Sequence, residues 1–164
     1  MKKLVTKSLL LFFLLGLHSS FVQDQNDPAL LLGRVNVRLL QSSPRFGWFD
    51  IGYNNYTTNA STIEQLSKAG GDISFIAFAG TWNDASQKQL PQFYKAIDEA
   101  KINRARVLLY FLDRDKKSPQ GYEGNYYVTE VPTFIVLKAG QEIGRISGTS
   151  ASAIEADLSD ILVR

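Results

Sequence analysis

Apolar and polar positions sort this chain into segments of distinct period. Residues 24–29 are polar and carry Pro28, which suits a short exposed leader. From Leu30 to Tyr56 the chain is apolar and aromatic, broken by Ser42-Ser43-Pro44, and Trp48, Phe49, Tyr53 and Tyr56 recur at helical spacing, predicting an apolar helix face. Ser61 and Glu64 stand at capping-box spacing ahead of Ile63 and Leu66, and Gly70-Gly71 closes that helix. Ile73 to Ala79 is short and almost wholly apolar, as a strand covered on both faces must be. Leu90, Phe93, Tyr94 and Ile97 then predict a helix to about Ala100, and Val107 to Leu112 a second buried strand. Strand, helix and strand with short joins imply a right-handed parallel crossover. Thr133–Lys138 and Glu142–Ile146 flank Ala139-Gly140-Gln141 as an antiparallel hairpin, and Ser152 with Glu155 caps a last helix with Ile154, Leu158, Ile161 and Leu162 on one face. The order predicts an α/β protein with a mixed central sheet and helices on both faces.

The first residues add a location. Lys2, Lys3 and Lys7 precede a nine-residue apolar core from Leu9 to Leu17, broken only by Gly16. That run is too short to cross about 30 Å of hydrocarbon and has the layout of a secretory signal peptide over residues 1–22, cut near Ser20 to Gln23. It predicts a secreted or periplasmic protein with no stable membrane span after cleavage. Loss of the three lysines turns the formal charge of the 164-residue chain from +2 to −1, which leaves no electrostatic footprint for nucleic acid.

Candidate chemistry is bounded by what is missing. There is no cysteine, so disulfides, thiolate nucleophiles, zinc–thiolate and iron–sulfur sites are excluded. The one histidine, His18, lies in the segment expected to be removed. Neither an EF-hand pattern nor a phosphate-cradling glycine motif is present, and no metal or cofactor is expected. Asp98-Glu99 and the pair Asp113 and Asp115 read as solvated carboxylates on a helix face and in a loop. Asn55-Tyr56-Thr57 and Asn59-Ala60-Ser61 are glycosylation sequons, relevant only in a host that glycosylates exported proteins.

Three local signatures, in order, resemble the thioredoxin family: Phe78-Ala79-Gly80-Thr81-Trp82 before Asn83-Asp84-Ala85-Ser86, Pro91 eight residues after Asn83, and Val131-Pro132-Thr133 leading into the hairpin. Gly140 and Gly148 fall where family glycines mark the hairpin turn and the end of its second strand. The match spans about Ile73 to Leu162. The resemblance implies a thioredoxin-like three-layer fold over residues 71–164, a helical N-terminal lead-in over residues 30–70, a helix-kinking Pro91 and a cis peptide bond before Pro132.

At the site the sequence departs from the family. Asn83 stands at the position of the first, attacking cysteine and Ser86 at that of the second. Thiol–disulfide exchange needs sulfur as nucleophile and leaving group, and neither an amide nor a hydroxyl supplies it. No catalytic residue is therefore assigned. Asn83 or Asp84 is expected to cap the helix, with Asp84 and Gln87 at capping-box spacing. The expected function is a redox-inactive binding or scaffold module. Its groove, formed by Trp82, Asn83, Asp84, Val131, Pro132 and Thr133, would take a protein or an extended peptide along the edge at Thr129 to Val131. The alternative is a thiol–disulfide oxidoreductase by descent whose activity went with its cysteines.

Overall fold

The computed structural model describes residues 21–23, 30–68 and 71–163. Its elements run β1 (Phe21–Gln23), β2 (Leu31–Val35), α1 (Arg38–Ser42), α2 (Gly47–Asn55), α3 (Ala60–Ser67), β3 (Ile73–Ala79), α4 (Asp84–Glu99), β4 (Val107–Phe111), α5 (Tyr122–Asn125), β5 (Thr133–Lys138), β6 (Gln141–Ser147) and α6 (Ile154–Val163). Short 3₁₀ turns at Pro44–Phe46 and Arg104–Arg106 precede α2 and β4. The strands form one sheet in the order β1-β2-β4-β3-β5-β6. Only β3 and β4 pair in parallel, joined through α4, so the sheet is mixed.

The apolar run of β3 follows from its central place. Successive strand residues point to opposite faces, so Phe75, Ala77 and Ala79 enter one cluster, and Ile76 and Phe78 the other. The first cluster is the larger and lies under α2, α4 and α6, with Phe49, Phe93, Phe111, Phe134 and Leu158 buried in it. The second gathers Tyr110, Leu112, Val128, Ile135 and Leu137. On that face the Tyr122 ring of α5 lies tilted against Tyr110 with centroids 5.0 Å apart, and Tyr126 lies against Phe78. These are the expected three layers of a thioredoxin-like fold, with unequal outer layers.

The sequence expectation needs correction in the lead-in. Residues 30–70 are not wholly helical: Leu31, Gly33 and Val35 are buried in alternation, and β2 joins the sheet antiparallel to β4. Five residues carry too short an alternation to stand out from the apolar stretch that follows, and the edge of β4 supplies the pairing that makes them a strand. The expected signal segment lies outside the described residues up to residue 20, whereas Phe21–Gln23 pairs with β2.

Three capping assignments also move. Asn59, not Ser61, caps α3, its Oδ1 accepting the N–H groups of Ser61 and Thr62 at 3.1 Å. Glu64 pairs with Lys68 instead of reaching back. Glu155 does not cap α6: its carboxylate accepts the Tyr56 hydroxyl at 2.5 Å and the Asn59 N–H at 3.0 Å. The third, between Asp84 and Gln87, belongs to the site below. Asp98 is likewise paired, not merely solvated: it accepts from Nε and Nη2 of Arg104, the two donors of one guanidinium edge, and from the Tyr53 hydroxyl.

Candidate functional site

Strand β3 ends at Ala79, and the chain turns through Gly80, Thr81 and Trp82 into α4. The turn is tight because Trp82 folds back over it: a Cβ placed on Gly80 would lie 2.8 Å from the indole ring. The indole N–H donates to the Leu112 carbonyl at 2.9 Å, and the Arg114 guanidinium stands 5.5 Å from the ring centre. The ring is thus anchored across the second face and left half-exposed.

Asn83 is the helix N-cap. Its backbone is extended, and its Oδ1 accepts the Ser86 N–H at 2.7 Å and the Ser86 hydroxyl at 2.9 Å. The Ser86 oxygen in turn accepts the Gly80 N–H at 3.1 Å. Ser86 is fully buried, and both its donor and an acceptor site are occupied. Asp84 lies exposed in the first turn, and Gln87 donates to the Thr81 carbonyl at 2.7 Å, so the expected Asp84–Gln87 box does not form. With the cap at Asn83 the third helical residue is Ser86, which leaves Gln87 one place too late to reach the cap.

The second half of the site comes from the start of β5. The Val131–Pro132 bond is cis, and Thr133 pairs with Phe78 in the ladder, which brings Val131, Pro132 and Thr133 to the same end of the sheet as the α4 turn. Pro132 accepts the Gly148 N–H at 2.8 Å through its carbonyl, and Thr133 donates its hydroxyl to the Glu130 carbonyl at 2.9 Å. Gln89 links the halves: from α4 it donates to the Gly148 carbonyl at 3.3 Å and accepts the Ser150 N–H at 2.8 Å. Sequence reasoning passed over Gln89 and Arg114. The signal for Gln89 is a polar residue beside Leu90 on the apolar side of the helix, where a buried amide needs partners.

Chemically, this arrangement is closed. The Ser86 proton goes to an amide oxygen, which is no base, so the hydroxyl is not activated as a nucleophile. What remains open is a half-exposed indole beside a strand end, flanked by the exposed residues Thr129 and Glu130.

No family model matches the chain. Thioredoxins do: those of Bos taurus and Homo sapiens are each 27% identical over 99 residues, covering 60% of this chain and 89% of theirs. Among solved structures, a Pseudomonas aeruginosa protein of unknown function is similar with a TM-score of 0.54 at 11% identity, over 77% of this chain and 88% of that one. That span is too long to fit within residues 71–164, so the likeness of fold reaches into the lead-in.

Proposed function

We propose that this chain, thioredoxin-like in fold and without a cysteine at either position where thioredoxins carry one, serves as a non-redox binding module that takes an extended peptide between Trp82 and the Val131–Thr133 segment. The observation that carries this reading is the closed Asn83–Ser86–Gly80 network, in which the two substituted positions hold each other and the turn. Chemistry has been replaced there by structure, while the flanking wall keeps its indole and its strand end. Export is part of the same proposal, on the strength of the basic and apolar N-terminal residues. Cleavage at Ser20 rather than after Val22 would leave β1 whole.

Main-chain hydrogen bonds to an added strand, with pockets for alternate side chains, would supply the affinity. Without a covalent mixed disulfide the complex should be weak, with a dissociation constant of about micromolar or above. The test is a titration of the protein with extended, cysteine-free peptides from exported proteins of its source, followed by backbone amide NMR and tryptophan fluorescence. Saturable shifts at Thr129 to Thr133, with a fluorescence change lost in Trp82→Phe, are expected. Shifts confined to another surface, or none, would refute the groove.

A further inference from the structure

The edge that an added peptide would follow carries one charge in a fixed place. Val131 turns its side chain inward, at 7% exposure, and Glu130 beside it lies outward. Gly148, just past β6, donates its N–H to the Pro132 carbonyl at 2.8 Å. A Cβ on Gly148 would fall 2.4 Å from Oε2 of Glu130, so this carboxylate lies over the Gly148 backbone beside Pro132. The main chain of Glu130 is tied as well, its carbonyl accepting the Thr133 hydroxyl at 2.9 Å.

That carboxylate has no partner. Among the described residues Glu130 makes neither an ion pair nor a side-chain hydrogen bond. Asp84, on the α4 side of the groove, is exposed and equally unpaired among them. The Arg114 guanidinium stands over the Trp82 ring and bonds neither carboxylate. Val131 likewise leaves its N–H and C=O unpaired among the described residues, which is what strand addition requires. An antiparallel strand paired through both groups of Val131 makes Glu130 a non-hydrogen-bonded position, where facing side chains come closest. Opposite charges facing each other across such a pair stabilise it, and like charges destabilise it.

We propose, on the peptide-binding reading above, that the groove selects an extended peptide with a lysine or arginine opposite Glu130, next to the peptide residue that pairs with Val131. The probes are three end-blocked peptides, Thr-Thr-Val-Xaa-Val-Thr-Thr with Lys, Gln or Glu as Xaa, titrated into the full chain at low salt and followed by amide NMR. The dissociation constant should rise in the order Lys, Gln, Glu, by about fivefold from first to last, as an exposed cross-strand charge pair gives. About 1 M salt should shrink that spread. Glu130→Gln alters an exposed side chain that holds nothing else, so the variant should keep its fold. It should weaken binding of the Lys peptide to about that of the Gln peptide and leave the Gln peptide unchanged. Equal affinity for all three peptides, with shifts at Thr129 to Thr133, overturns the selection by charge and leaves the groove standing. A lysine preference that survives intact in Glu130→Gln overturns the role of Glu130. No shift at those residues with any peptide refutes the groove, and this inference with it.

Discussion

Two polar regions of this molecule solve the same problem in opposite ways. At the start of α4, Asn83, Ser86, Gly80, Thr81 and Gln87 satisfy one another within a stretch of eight residues. Along the seam between the lead-in and the domain, partners come from far apart in the chain. Tyr53 reaches Asp98, Thr58 reaches Glu99, Tyr56 and the Asn59 N–H reach Glu155, and Ser159 reaches Gln65. A local network can be rewritten by substitution without disturbing what surrounds it, and the α4 turn, with Asn83 and Ser86 holding each other, is of that kind. A long-range network cannot. The seam, reinforced by the close approach of Gly52 to Pro91 and by buried Phe49 against Tyr94, makes the lead-in part of the domain.

The contrast breaks most directly at Glu155, which is 1% exposed. Glu155→Ala strips a charged acceptor from the half-buried Tyr56 hydroxyl and from the Asn59 N–H at once. A hydrogen bond to a charged group contributes on the order of 1.5–3 kcal/mol, so a loss of about 2–3 kcal/mol is expected. Urea unfolding checks it. Hydrogen exchange should also show α2 and α3 opening before β3, because the lead-in would have lost its tie to α6.

Alkali tests the same seam more gently. Burial, and then the hydrogen bonds and charges of Asp98 and Glu155, push the Tyr53 and Tyr56 hydroxyls above the ordinary tyrosine value of 10.0. Below pH 10 both the folded and unfolded chains keep these protons, and the stabilisation is complete. As pH rises past 10 the unfolded chain releases its protons first, so stability falls until the folded hydroxyls also titrate. The urea midpoint should therefore drop between pH 9 and pH 11 (roughly one unit either side of the free tyrosine value). Tyr53→Phe with Tyr56→Phe should flatten that drop without abolishing it, since burial also raises Tyr94 and Tyr110. An unchanged slope would mean that the seam does not carry the effect.

The sequence made the central sheet legible and the seam illegible, for one physical reason. Ile73–Ala79 and Val107–Phe111 are apolar because they are covered on both faces, and that composition survives in one dimension. So does the hairpin turn, where Ala139 and Gly140 both take positive φ. Strand β2 carries no such mark: its pairing with β4 decides what it is. The capping misreadings share this cause. A Ser-x-x-Glu spacing states what a glutamate can do locally, but Glu155 finds a half-buried hydroxyl 99 residues away. The candidate groove was readable through Trp82, Asn83 and Pro132.

The smallest effect is expected at Asn83, and its size sharpens the comparison. Asn83→Ala removes one acceptor that serves both the Ser86 N–H and the Ser86 hydroxyl. The N–H belongs to buried Ser86, but Asn83 is itself partly exposed, and truncating it to Ala opens the first turn to a water that takes the place of the cap. The hydroxyl keeps its bond from Gly80 and can rotate. The cost should be that of an ordinary N-cap, about 1 kcal/mol. Asn83→Asp keeps the acceptor and adds negative charge at the positive end of the helix dipole, so it should be neutral or slightly stabilising. Urea midpoints of the three proteins decide it. Should Asn83→Ala cost as much as Glu155→Ala, the α4 turn would be coupled to the rest of the fold as tightly as the seam, and the contrast between a local and a long-range network would fail.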